Sequence, residues 1–194
     1  VADVKHDEEI FEIQTGSLYP LKSKLEHYLE TSDCHVTVVH PLPMKKYRVW
    51  IDPETGESQP RRRVAGIGSV FGGAHELVYI SEALATGRVA VWFLFIEEEE
   101  YRFLDGKGKD RKFRSSRFER LPVDILDEVV FAEKSDYLAL IPEGLGESFT
   151  TEEYRKAAKI PHSKHAYMAL AALANIGIIE EAEKKGRARA WKVK

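Results

Sequence analysis

Two acidic side chains near the start of the chain, Asp3 and Glu12, have a spacing that suits a metal site. They flank His6-Asp7-Glu8-Glu9, a charged tip between two arms of alternating apolar residues. With a two-residue turn at Asp7-Glu8, His6 faces Glu9, Lys5 faces Ile10, Val4 faces Phe11 and Asp3 faces Glu12. Directly opposed residues carry Cβ atoms roughly 4.5–5.5 Å apart. The two-residue period of a strand puts Gln14 on the face of Glu12. Carboxylates that close repel each other unless a proton or a cation lies between them. A hard divalent ion, Mg²⁺ or Mn²⁺, wants such an oxygen-rich arrangement. The competing reading is an ordinary hairpin with a polar, solvated face. Asp-Glu also lacks the Gly or Asn that a primed turn favours, so a longer loop with a shifted register is the alternative geometry.

A second group lies near the other end. His162, Ser163, Lys164 and His165 open an apolar-periodic segment, and Lys184-Lys185-Gly186-Arg187 forms a basic turn. His162 and His165 are three residues apart on one helix. A solvated or phosphate-facing pair is the reading preferred over metal ligation.

The elements that would position these residues are legible. Gly16 ends the second arm, Ser17 is a candidate N-cap, and Leu18, Leu21, Leu25, Tyr28 and Leu29 recur at helical spacing. His35 to Pro41 is a short apolar strand. The order is therefore strand, strand, helix, strand, with Asp on the first strand and Glu-x-Gln on the second.

In those residues the chain resembles the PD-(D/E)XK, or restriction-endonuclease-like, nuclease superfamily. The resemblance implies an α/β fold with a mixed sheet, whose first helix and strand would lie upstream of Val1. It implies Asp3 and Glu12 as metal ligands for Mg or Mn, in catalytic positions together with Gln14. Gln14 stands where the family usually has lysine. Lys22 or Lys24 on the following helix would then supply the missing positive charge, Lys24 being the residue assigned to the site. The implied activity is metal-dependent hydrolysis of DNA, the alternative being a non-catalytic DNA-binding or regulatory protein on a decayed nuclease fold.

Phe149 to Lys194 resembles a winged helix-turn-helix. Thr150 and Glu153 have capping-box spacing. Pro161 separates that first helix from a second, about Ser163 to Asn175, and Gly177 is placed as its C-cap. Two strand-like arms, Ile178 to Ala182 and Ala188 to Val193, follow, and an earlier helix at about Ser135 to Leu140 completes the bundle. In such modules the second helix enters the major groove by its N-terminal end. By that resemblance His162, Ser163, Lys164 and His165, with Tyr167 as a further candidate, are the positions that enter the groove, and Lys184, Lys185 and Arg187 at the wing tip contact phosphates, which gives affinity without sequence readout. Winged helices also serve as protein-interaction modules, which is the other reading. Expected domains are 1–128, the endonuclease-like part, and 129–194, the winged helix.

Composition bounds the rest. The 194 residues are 43% hydrophobic and 31% charged, enough for a real core and somewhat rich in charge. Residues 150 to 194 hold ten Lys or Arg against five Glu, a net +5, while the remainder holds 19 basic and 27 acidic residues, a net −8. A basic module on an acidic body points to a polyanionic partner. Cys34, the single cysteine, excludes an internal disulfide and a cysteine zinc site and fits a reducing cytoplasm. No apolar run is long enough to span a bilayer. A homodimer is compatible with both module types.

The middle carries weaker signals. Lys45 to Ile51 is an expected strand. Arg61-Arg62-Arg63 opens an expected loop rich in glycine to Gly73, followed by a helix at about Ala74 to Ala85. Arg88 to Ile96 is nearly continuous in apolar residues, as in a strand buried on both faces. It ends in Glu97-Glu98-Glu99-Glu100, a solvated strand end or, less favoured, a cation site. Asp105 to Arg120 is a basic loop in which Phe113 and Phe118 could stack on bases. A short helical connection near 125 to 132 marks the expected domain boundary.

Overall fold

The hairpin forms in the expected register. In the computed structural model, which describes residues 2–107 and 114–194, β1 (Val4–His6) and β2 (Glu9–Ile13) are antiparallel, with Val4 opposite Phe11, Lys5 opposite Ile10 and His6 opposite Glu9. Asp7 supplies the positive φ, 51°, that a tight turn needs in place of glycine or asparagine. A 3₁₀ turn (Tyr19–Leu21) leads into α1 (Lys22–Thr31), which buries Leu25. β3 (His35–Ile51) then returns parallel to β2, with Glu12 beside Val38 and Ile13 beside Val39.

The remaining elements are β4 (Arg62–Val64), α2 (Val70–Gly73), a 3₁₀ helix (Ala74–Tyr79), α3 (Ser81–Leu84), β5 (Val89–Phe103) and β6 (Ser116–Phe131). After a 3₁₀ helix (Lys134–Leu140) come β7 (Phe149–Thr150), α4 (Thr151–Ala157), α5 (Ser163–Ile176), β8 (Ile179–Lys185) and β9 (Ala188–Val193). The protein is thus of the α/β class, with a mixed sheet ordered β1-β2-β3-β5-β6, β4 pairing with β3, and a separate sheet ordered β7-β9-β8. No helix among the described residues is long and apolar enough to cross a membrane.

The chain divides into two compact units. One comprises residues up to 40, 69–93 and 129–194; the other comprises 41–68 and 94–128. The boundary expected at 128/129 coincides with one seam. Residues 1–40 and 69–93, expected on its far side, group with the C-terminal residues instead, because α5 packs along residues 74–84. The first unit's core joins Leu18, Leu25, Val36, Val38 and Phe93 to Phe131, Tyr137, Leu140, Tyr154, Leu170 and Leu173, all essentially inaccessible. Phe131 links Phe93 and Tyr137 ring to ring, at 5.6 and 5.1 Å. The buried Tyr154 hydroxyl donates to Leu140 O at 3.1 Å, as a buried polar group must.

Several expectations are corrected. The segment 125–132 is not helical; it is the end of β6, an outer strand exposed on both faces from Arg117 to Ile125 and buried only where it reaches the core at Phe131, so it lacks the sustained alternation that marks a half-buried strand. His35 to Pro41 and Lys45 to Ile51 are one strand. Pro41 and Pro43 fall between Val39, the last residue paired with β2, and Lys46, the first paired with β4, so their missing N–H groups break neither ladder. Arg62 and Arg63 are in a strand, not a loop. Residues 74–85 form a 3₁₀ helix and one α-turn. β5 alternates buried with half-buried residues.

The acidic run is not a solvated strand end either. β5 continues through it, and Glu98 and Glu100 are buried, 7% and 2% exposed. Lys46 Nζ lies 2.9 Å from Glu98, and Arg48, Arg102 and Arg117 reach Glu100 at 3.5, 3.3 and 3.3 Å. Burial would push the Glu100 carboxyl up; Lys46, Arg102, Arg120 and Arg48 together hold it below the usual range. Of the basic loop, Lys109, Arg111, Lys112 and Phe113 lie outside the described residues. Phe118 packs edge-on against Phe103, centroids 5.0 Å apart.

Candidate functional site

Glu12 is the buried charge around which the N-terminal elements close. The alternation of β2 turns Ile10 and Glu12 inward, and Glu12 is 1% exposed. A carboxylate so placed must be paired and hydrogen-bonded. Both partners come from α1: Lys24 and Tyr28 are four residues apart and share a helix face. Lys24 Nζ lies 2.5 Å from Oε2 of Glu12, and Tyr28 donates its hydroxyl to Oε1 at 2.9 Å. The hydrogen bond to Glu12 is the main cause that raises Lys24 above the ordinary lysine value, and the charge of Asp3 adds to it. Burial, then the bond to Glu12, pushes the Tyr28 phenol up.

The structure places the other expected members as follows. Asp3 is exposed, and its Oδ2 accepts the Ile13 backbone N–H at 2.8 Å, which pins the carboxylate to the β2 strand beside Glu12. Gln14 turns back into its own loop: Nε2 donates to Ser17 O at 2.8 Å, and the Gln14 carbonyl binds His40 Nδ1 at 2.5 Å. Lys22 points away, pairing with Glu82 at 3.2 Å and Glu26 at 3.9 Å. Lys24 therefore joins Glu12 directly, Asp3 is held to the same strand through the Ile13 backbone, Gln14 offers Glu12 no side-chain bond, and Tyr28 is a partner that helical periodicity assigned to packing alone. Its spacing from Lys24 was the available signal. Among the described residues no set of three or more His, Cys, Asp or Glu is arranged to hold a metal.

A second polar cluster was not foreseen. Glu76 accepts from Ser17 Oγ and from the Leu18 backbone N–H, both at 2.9 Å, and faces His75 Nε2 at 3.3 Å. Burial would raise its carboxyl; these three donors outweigh that and hold it at about 2. Glu76 sits between Ser17 and His75, so the histidine cannot take the serine proton directly, and the trio is not a nucleophile relay. His75 Nδ1 faces Gly72 O at 2.9 Å. Its ring stacks on His165, centroids 3.9 Å apart and planes 8° apart. Burial, with the neighbouring His75, His162 and Lys164, lowers the His165 imidazole below its usual value.

The C-terminal residues fold as their caps dictate. Thr150 and Glu153 form the reciprocal capping box, and Gly177 ends α5 in the left-handed region, φ 85°. β8 and β9 pair antiparallel around the Lys184–Arg187 turn, and β7 adds to β9. His162, Ser163 and Lys164 are exposed at the start of α5, whereas His165 is half-buried against His75. Lys185 is engaged by Ser148 O at 2.7 Å and Glu153 at 3.5 Å. Lys164, Lys184 and Arg187 have no acidic partner within ion-pair distance among the described residues, whereas Arg189 and Lys192 are tied to Glu181 and Glu180.

Residues 1–132 match a family described as a domain of unknown function, DUF8091. No curated protein matches the chain, and no solved structure matches it.

Proposed function

We propose that this chain, which belongs to the DUF8091 family, is a DNA-binding protein whose hairpin–helix–strand core follows the PD-(D/E)XK plan and hydrolyses phosphodiesters at Asp3, Glu12 and Lys24. The observation that carries the reading is the Lys24–Glu12 pair. It brings a cation from the following helix onto the acidic residue of the Glu-x-Gln strand, where the family plan needs one. Asp3 and Glu12 would hold the divalent ion. Mg²⁺ usually retains several waters and takes one or two carboxylates, the other ligands coming from substrate phosphates, so two carboxylates meet that demand. The ion, when bound, would supply a polarised water and a counter-charge. Lys24, 29% exposed at its side chain, would neutralise charge that develops on the phosphate. Tyr28 is a positioning residue that keeps Glu12 oriented.

Delivery to DNA falls to residues 134–193. Their order of helix, short strand, two helices and a hairpin is the one a winged helix-turn-helix requires. Lys164, Lys184 and Arg187, without acidic partners among the described residues, supply phosphate contacts. His165, stacked on His75, is withdrawn from the base-reading set unless α5 separates from residues 74–84.

A second reading, DNA binding without cleavage, has its own support. Both oxygens of Glu12 are already engaged by Lys24 and Tyr28, and Gln14 faces away from the cluster. Incubating plasmid, linear and single-stranded DNA with the protein in Mg²⁺ or Mn²⁺, beside binding assays in a chelator, separates the two. Metal-dependent cleavage lost in Asp3→Ala and Glu12→Ala, with binding retained, supports hydrolysis. Chelator-resistant binding with no cleavage of any substrate leaves the non-catalytic reading. Absence of binding at low salt removes both.

A further inference from the structure

The 41–68 and 94–128 unit ends on an outer strand that is unusually open. Every residue from Arg117 to Ile125 is exposed, on both faces of β6. Phe118, Leu121, Val123 and Ile125 are 59%, 40%, 50% and 61% exposed. A long, flat strand edge with apolar side chains is a surface built for pairing. Pro122 limits how. In an outer strand a proline keeps its nitrogen on the free side. Backbone alternation then points the N–H and C=O groups of Phe118, Arg120, Asp124 and Leu126 to that same free side.

The charge pattern along β6 identifies the occupant. Arg117, Glu119 and Arg120 lie in its first half, a net +1, and Asp124, Asp127 and Glu128 in its second, a net −3. Asp124 and Asp127 have no cationic partner among the described residues, whereas the arginines belong to a group with cations in excess. Lys46, Arg48, Arg102, Arg117 and Arg120 all converge on only two carboxylates, Glu98 and Glu100. Two copies of β6 laid antiparallel about a two-fold axis at Pro122 place Arg120 opposite Asp124, Arg117 opposite Asp127, Phe118 opposite Leu126, Leu121 opposite Val123 and Glu119 opposite the uncharged Ile125. Each acidic half then meets a cation excess. A parallel arrangement would set like charges side by side. The residues that exchange backbone bonds in this register, Phe118 with Leu126 and Arg120 with Asp124, are those whose groups face outward. Only the axial proline pair makes none.

We propose that β6 is a self-association strand: a second copy of this chain pairs antiparallel with it about Pro122, which continues the sheet across an isologous dimer. The pairing does not depend on whether the protein cleaves DNA. Sedimentation and light scattering of the full chain, from about 1 to 100 µM across the usual affinity range of such contacts, provide the test. The wild type is expected to be dimeric. Asp124→Arg and Arg120→Asp each set like charges against each other at two symmetric points, and each should weaken dimerisation at least tenfold. Mixed in equal amounts they restore both ion pairs, so a one-to-one heterodimer should form. Val123→Lys, which leaves Glu98 and Glu100 untouched, should be monomeric with a wild-type circular dichroism spectrum, and it stands in if Arg120→Asp fails to fold. A monomeric wild type at the highest concentration overturns the proposal. Variants as dimeric as wild type, or folded variants that do not rescue each other when mixed, also overturn it.

Discussion

Removing the Lys24 ammonium should cost more than removing the charge it neutralises. Taking one member from a buried ion pair typically costs about 3–5 kcal/mol, because the other charge is left uncompensated. Glu12 is 1% exposed and cannot escape to water. Two features lower the figure here: the Lys24 side chain is 29% exposed, and Tyr28 still donates to Oε1. Lys24→Met should therefore destabilise by about 2–3 kcal/mol. Glu12→Gln keeps an acceptor for Tyr28 and lets Lys24 swing to solvent, so its cost should be about 1 kcal/mol. The double variant should be more stable than Lys24→Met alone, which is direct coupling between neighbours. Urea unfolding at pH 7 with a common m-value measures all three. The sign extends to high pH. A lysine raised by its partner contributes stability that is complete below its ordinary 10.5 and is lost as pH rises through the higher folded-state value. Wild type should lose more stability above pH 10.5 than Lys24→Met does. A Lys24→Met variant within about 0.5 kcal/mol of wild type, the range of an ordinary surface change, would refute the dependence of Glu12 on its buried partner.

Glu76 sets an acid limit. A carboxylate held at about 2 contributes stability present above 4.5 and lost as pH falls through about 2. Glu76→Gln should cost about 1.5–3 kcal/mol at neutral pH, the value of hydrogen bonds to a charged group, and the difference from wild type should close across that acid window in denaturant titrations. Gly66→Ala should destabilise by about 1–3 kcal/mol through overpacking, because an added Cβ would lie 2.3 Å from Met44 O and 2.6 Å from Pro43 O, backbone atoms that cannot yield; thermal unfolding reads this out. Lys184→Ala and Arg187→Ala should each weaken DNA binding similarly across sequences and reduce the salt slope by about 1, as fluorescence anisotropy against salt would show. Lys185→Ala, whose ammonium is already tied to Ser148 and Glu153, should change the slope less.

What was legible in the sequence is what short-range rules govern. The hairpin register followed from alternation and a charged tip, with Asp7 taking the backbone conformation that glycine usually supplies. Thr150, Glu153 and Gly177 marked the limits of α4 and α5 because caps act within one turn. The failures come from distance in sequence. Nothing near Glu98 or Glu100 announces Lys46 and Arg48, some fifty residues away, so a buried ionic group looked like a solvated strand end. Nothing near His165 announces His75, whose ring draws that histidine out of the exposed start of α5 and into packing. β6 misled for a different reason: with both faces exposed from Arg117 to Ile125, most of it has no hydrophobic period to read. In the candidate region, the sequence put Lys24 near Glu12, and the two are paired; Asp3 bonds only the Ile13 backbone and Gln14 turns to Ser17. Tyr28, four residues beyond Lys24, was passed over as core.

The most direct test of the proposed function is cleavage of DNA by the purified wild type and by Asp3→Ala and Glu12→Ala, in Mg²⁺ and in Mn²⁺, with binding followed in the same samples. The expected result is phosphodiester hydrolysis by wild type that stops on chelation and in both variants while their DNA affinity is kept. Wild type that binds DNA but leaves every substrate intact, or cleavage that persists at the same rate in both variants, would contradict the assignment of hydrolysis to this cluster.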